Sequence, residues 1–148
     1  MTGPRTIQAD VELFLTAFIR REIRDPDLLA AYPVLAGFEV DNREPGLDAA
    51  DFPAKLIVVR DDGTTPSGLV VGSTSVGINV LVGDPKWQKD ASLAARVVHS
   101  IIRDCARVEA GNPVAAVLDS NGPYTVPEDQ PRARFYSTHE LATVESAL

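Results

Sequence analysis

The run from Val76 to Val108 constrains the fold more than any other part of the chain, because it sets a strand directly before a long amphipathic helix. Val76, Ile78, Val80 and Val82 point one way, while Gly77 and Asn79 point the other. One well-covered face and one thinner face describe a strand in a half-buried antiparallel sheet. Small residues on the thin face leave room for a neighbouring subunit to approach closely. Gly83-Asp-Pro85 then turns the chain into a helix expected over Asp90 to Val108, with Asp90 as its cap and Gly111-Asn-Pro113 ending it. At ~100° per residue, Ser92, Arg96, His99, Ser100, Arg103 and Arg107 share roughly a quarter-turn of the surface. Leu93, Ala94, Val97, Val98, Ile101, Ile102, Cys105 and Val108 fill the rest. So wide an apolar arc meets two partners, either the sheet and another helix, or its own sheet and a neighbour.

The other elements arrange themselves around this unit. A first helix starts between Thr6 and Asp10 and runs to about Arg24, with Ile7, Val11, Phe14, Leu15, Phe18 and Ile19 forming one stripe. Asp10 and Glu12 suit its positive end, and Arg20, Arg21 and Arg24 its negative end. Asp25-Pro26 stops it, with a further turn at Asp27 to Ala31. Phe38 to Asp41 reads as a short strand, Asn42 to Ala54 as a long acidic loop, and Lys55 to Arg60 as a β-branched strand. Asp62-Gly63 is the expected reversal, with brief pairing by Leu69 to Val71. After the second helix come a strand from Val114 to Leu118, a Gly/Pro-rich arm from Ser120 to Pro131, and a last strand from Arg134 to Thr143. The chain therefore reads as one α+β domain over residues 1–148. Its sheet is mostly antiparallel with four or five strands, and two amphipathic helices pack mainly on one face. At 148 residues it is long enough to bury a core.

Composition narrows the function. No apolar run approaches the ~18 residues a membrane span needs, and no charged-then-apolar leader opens the chain. The net charge of −7 argues against a general nucleic-acid binder. It is spread unevenly, +1 over residues 1–24, −6 over 25–90 and −2 over 91–148, as complementary surfaces would be. The single cysteine, Cys105, reads as a buried thiol. Gly72-Ser-Thr-Ser-Val-Gly77 is neither a P-loop, since Ile78 and Asn79 stand where Lys and Ser or Thr are required, nor a nucleophile elbow, since Ser73 replaces the needed glycine. His99 and His139 lack a second ligand at i+3 or i+4, so no metal site is expected. His99 reads as solvated, and His139 as an edge or interface residue. No catalytic residue and no cofactor site is expected.

What remains are contact residues. Trp87, just before the second helix, is either a hydrophobic staple or an anchor in a subunit contact. The arm holds Pro123, Pro127 and Pro131, which deny it regular pairing, and leaves Tyr124 and Val126 exposed. A hairpin needs only two to five residues, so an arm of about a dozen is either a partner-docking segment or an idle surface loop.

The order of parts resembles the tail terminator family of long-tailed phages. The matching parts are the helix Ile7–Arg24, the Arg60-Asp-Asp-Gly63 turn after Lys55, the strand Val76–Val82 entering the helix Asp90–Val108, the arm Gly122–Arg132 and the strand Arg134–Thr143. Val80–Ile102 and Gly122–Leu141 carry the resemblance, and the acidic stretch Asn42–Asp51 is longer than the family pattern. The resemblance implies a structural role in the virion, at the head-proximal end of the tail, after assembly in the host cytoplasm. Six copies would form a ring that caps the tail tube, stops its growth and presents a surface to the head-completion (stopper) protein. The major tail tube protein would be the other partner, and genomic DNA would pass through the lumen without specific binding. Six copies at −7 carry −42 together, so closure works against self-repulsion. Arg96, Arg103 and Arg107, or Arg132 and Arg134, are expected to meet acids of a neighbour, and moderate salt or Mg²⁺ to favour the ring. Trp87, Tyr124 and Val126 complete the candidate interface to a subunit or the tube. The alternatives are another neck component (a head-closure or minor tail protein) and a small-molecule-binding α+β domain.

Overall fold

A computed structural model describes residues 5–46 and 52–148. Two helices and a short third one, with seven strands, form a single α+β unit. The strands are β1 (Thr6–Ile7), β2 (Glu39–Asp41), β3 (Lys55–Pro66), β4 (Val71–Val82), β5 (Val114–Thr125), β6 (Ala133–Val144) and β7 (Ser146–Ala147). The helices are α1 (Val11–Glu22), α2 (Pro26–Ala31) and α3 (Gln88–Arg103). A five-stranded sheet has the order β2-β3-β4-β6-β5, antiparallel throughout except that β2 runs parallel to β3. A separate ribbon joins β1 to β7. Part of the acidic loop expected over Asn42 to Ala54, residues 47–51, lies outside the described residues.

The inward faces follow the period-two rule. Ile57 and Val59 of β3, Val76, Ile78, Val80 and Val82 of β4, and Phe135 and Leu141 of β6 are buried under the helices. From α1 come Val11, Leu15, Phe18 and Ile19, and from α3 Ala94, Val98, Ile101 and Ile102. α3 touches the sheet and α1 alike, which accounts for its wide apolar arc. Asp10 caps α1 by accepting from the Leu13 amide, and Asp25 caps α2 by accepting from the Asp27 amide. The other sheet face has its own small cluster, Leu56, Val58 and Leu81 packed with Phe52.

Several local expectations give way to tertiary context. Ile7 does not belong to the α1 stripe; it lies in β1, 56% exposed. α3 ends at Arg103 rather than Val108, because the chain leaves the sheet there and the Asn112 amide group donates to the Cys105 and Arg107 carbonyls instead. Val108 is consequently fully exposed. The reversal after β3 is not at Asp62-Gly63: both strands continue to Pro66 and Val71, and the turn is made by Ser67 to Val70. Gly63, at φ +114°, instead closes a bulge in β3, where the register slips between Asp61 and Gly63. The arm, too, is shorter than expected. β5 runs on through Asn121 to Thr125 despite Pro123, absorbing that residue where the register slips between Asn121 and Tyr124. Space for a neighbour over the thin face of β4 is also taken from within, since a Cβ on Gly77 would meet the Tyr136 hydroxyl at 2.5 Å.

Edges are managed locally. β2 covers only Leu56 to Val58 of β3, and past it the Asp61 amide donates to Glu12 of α1 at 2.9 Å. β5, the opposite edge, slips register three times, which discourages a foreign strand from adding to it. The burial pattern supports a paired test. Ile102→Ala, at a fully buried site, should lower unfolding stability by about 2–5 kcal/mol, whereas Val108→Ala should change it by less than about 0.5 kcal/mol, both read by urea titration.

Candidate assembly interface

The contact residues expected from the sequence fall in separate places on the folded chain. Arg96 and Arg107 share a groove of about 430 Å³ between α2 and α3, floored by Leu28, Leu93, Val97 and Ile101. Arg107 is held there firmly. Its guanidinium donates to Glu22 and to Asp104, each at 2.6 Å, and covers the Phe18 ring at 5.0 Å. Those bonds, to Glu22 first and then Asp104, raise its pKa above the usual arginine value. Arg96 stands exposed on the groove rim and, among the described residues, forms no ion pair. Arg103 is likewise exposed and unpaired among the described residues, but it faces a different cleft, one lined with His99, Val117 and Ser120 between α3 and β5.

Arg132, Arg134, Tyr124 and Val126 are on or beside the helix-free side of the sheet. Arg134 donates to Glu128 at 2.5 Å and to Asn79 at 3.0 Å, and pairs with Glu44 at 2.7 Å. Burial alone would push this guanidinium down, but hydrogen bonds to Glu128 and Glu44 outweigh it and raise the pKa. Arg132 stacks on the Phe52 ring at 3.6 Å, with Glu128 4.0 Å away. Tyr124 is 45% exposed and meets Tyr136 edge-on at 5.7 Å. Val126 donates its amide to the Arg134 carbonyl and lines a depression with Arg60, Asn79 and Tyr136. Trp87 closes the short 3₁₀ turn Pro85–Trp87 that leads into α3. It is 43% exposed with the Lys86 ammonium 5.6 Å from its ring, so it is not buried as a staple.

The pair His99 and His139 is the feature that spacing along the chain did not reveal. Their rings pack 4.9 Å apart, joining α3 to β6. His139 is 1% exposed and bonded on both nitrogens, to Ser120 Oγ at 2.8 Å and to Ser137 Oγ at 3.1 Å. His99 is not a solvated side chain, for its Nδ1 is buried without a partner. Two signals in the sequence could have found it. His139 is in phase with Phe135, Ser137 and Leu141 on the inward face, and His99 lies one turn from Ala95 and next to Val98 on α3. Burial, then the neighbouring His99, pushes the His139 imidazole down to about 4. Burial, then Arg103, lowers His99. Cys105 is buried, and burial raises its thiol to about 11, so it is unreactive near neutrality.

Among the described residues, no group of three or more His, Cys, Asp or Glu side chains is placed to hold a metal ion. No helix of the described residues is long and apolar enough to cross a membrane.

No family model matches the chain, and no curated protein matches it. Solved structures do. One is a chain described as the virion of a native gene transfer agent (GTA) particle, which aligns with a TM-score of 0.54 over 93% of this chain and 100% of that one. At 19% identity, the likeness is one of fold.

The histidine pair makes stability depend on pH. The unfolded chain takes up protons as pH falls below about 6.5, while folded His139 stays neutral until about 4. The loss should therefore begin below the unfolded value and be complete below the folded one, amounting to about 3 kcal/mol for this residue. His139→Gln should flatten that part of the profile, measured as the difference between urea unfolding curves at pH 7 and pH 4.5.

Proposed function

We propose that this chain is a structural protein of a phage-like virion, and that it terminates the tail. In this reading about six copies close into a ring on the head-proximal end of the tail tube. One ring face engages the major tail tube protein, and the other receives the head-completion protein. The observation that carries the virion role is the fold likeness to a gene transfer agent virion chain, which is covered over its whole length. The finer assignment to tail termination rests on the resemblance in the order of parts: a strand entering an amphipathic helix, then two strands joined by a Gly/Pro-rich arm.

Capping of this kind needs no bond-making chemistry. A ring closed by rotational symmetry offers a tube-like surface on one side and withholds it on the other, so growth stops after one layer. Unlike surfaces of neighbouring copies meet around such a ring. Arg96 and Arg103, unpaired within the chain among the described residues, are suited to acids of the next copy. Arg107 and Arg134 already answer acids of their own chain, and Arg132 lies on the Phe52 ring with Glu128 4.0 Å away, so their part is to hold the contacting loops in shape. A strongly acidic ring would let genomic DNA pass its lumen without adhering.

The test is to add the purified chain to its tail tube protein during polymerisation and to measure tube lengths by negative-stain electron microscopy. Wild-type chain should arrest elongation and shorten the length distribution. A chain with Arg96→Glu and Arg103→Glu should cap at least about tenfold less effectively, with moderate salt or Mg²⁺ improving the wild type. Tubes that grow unchanged in its presence would overturn the tail-terminating role.

A further inference from the structure

Residues 127–132 of the Gly/Pro-rich arm lie on the helix-free side of the sheet with almost no main-chain attachment. Pairing ends at Val126, whose amide donates to the Arg134 carbonyl, and resumes at Ala133, opposite Val82. Between them Pro127 and Pro131 have no amide hydrogen to give. Among the described residues, the only main-chain bond of the segment is internal, from the Arg132 amide to the Gln130 carbonyl at 2.7 Å. Side chains hold it instead. Glu128 accepts from Arg134 at 2.5 Å, and Arg132 lies on the Phe52 ring at 3.6 Å. The Glu128 side chain is 9% exposed and that of Arg132 10%.

What these contacts cover is apolar. Phe52 packs on Leu56, Val58 and Leu81, and Arg134 is the ladder partner of Leu81. Val58 and Val126 line one depression with Arg134. Two features make the covered state easy to leave. Arg132 Nη1 is buried and, among the described residues, has no hydrogen-bond partner, with Glu128 Oε1 4.0 Å away. Such an unpaired, desolvated donor costs free energy that contact with water would return. Arg134, for its part, also pairs with Glu44 at 2.7 Å and donates to Asn79 at 3.0 Å. Removing the partner of a buried charge ordinarily strands it. Here Glu128 would leave with the arm into water, and Glu44 would still answer Arg134.

We propose that residues 127–132 are a releasable strap, latched by Glu128 on Arg134, which opens without unfolding the sheet and uncovers Phe52 and the apolar cluster beneath it. A segment with few main-chain bonds to its surroundings is where such sub-global opening takes place. The strap rests on these contacts alone, and it holds whether or not the chain caps a tube.

Arg132 supplies the probe. Trypsin must draw an arginine side chain into its specificity pocket, which the closed strap does not permit. Cleavage after Arg132 therefore reports the open fraction, and cleavage after Arg20 and Arg21, inside α1, reports unfolding of the core. Between 0 and about 2 M urea the first should change less than about twofold while the second rises steeply. Glu128→Gln should speed cleavage after Arg132 about tenfold or more, with the urea midpoint of global unfolding little changed. It should also raise the fluorescence of the apolar-surface dye anilinonaphthalene sulfonate. Asp129→Asn makes the same charge change at the exposed acid next in the arm and should leave both readings as in wild type. Cleavage after Arg132 that climbs with urea in step with cleavage after Arg20 would show that the arm opens only with the whole fold, and would overturn the proposal. So would a Glu128→Gln variant that is cleaved like wild type or binds no more dye. If that substitution disturbs folding, which far-ultraviolet circular dichroism reports, the urea dependence of the wild type decides by itself.

Discussion

The β4–β6 ladder runs from Val71↔Val144 to Val82↔Ala133 without a register slip, and the other elements take their places from its faces and edges. Its inward residues make the floor on which α3 lies, and its outward ones carry Tyr136 over Gly77 and Arg134 against Asn79. β3 extends the ladder on one side and β5 on the other. Because side chains alternate with period two, a slip of one residue would turn Ile78, Val80, Phe135 and Leu141 outward and strip α3 of its partner surface. Thr74 and Thr143, buried and sharing a hydrogen bond at 3.0 Å, help specify the register, as each would lose its partner in any other alignment.

Ionic groups divide between those that finish the fold and those that remain available. Glu22, Glu44 and Glu128 are answered within the chain by Arg107 and Arg134, and the pairs with Glu22 and Glu44 bind segments far apart in sequence. Arg134 ties the loop after β2 and the arm after β5 to the helix-free face of β6, above the small cluster of Leu56, Val58, Leu81 and Phe52. Breaking such partly buried pairs costs more than breaking exposed ones, because the remaining charge stays desolvated. Arg96 and Arg103 have no such duty among the described residues. In the proposed ring, opposite-charge contacts between copies would therefore draw on α3's outer stripe.

Periodicity made the two main helices, the inward faces of β4 and β6, and the α+β class readable before any coordinates. Each rests on patterns several residues long, in which burial repeats at the period of its element. Boundaries were less readable because they depend on distant contacts. Gly63 has the chemistry of a turn, yet β4 remains available beyond it as a partner, so the hairpin continues and the glycine becomes a bulge. Pro123 argued against a strand, but the edge position of β5 lets it sit where the register slips. Val108 looked like part of a helical stripe, though nothing in its neighbourhood could show that Asn112 ends the helix first. For the interface, the sequence pointed to residue types suited to contact. It could not tell that Arg107 and Arg134 pair with acids of their own chain. Nor could it show the β1–β7 ribbon, which at two residues a side is too short to leave a periodic signal.

The proposed tail termination is tested most directly by electron microscopy of the particles that form when the gene for this chain is disrupted in its source. Headless tubes of uncontrolled, overlong length are the predicted result, since tube growth would have no stop and heads no surface to join. Tails of normal length beside unjoined heads, or intact virions, would contradict it.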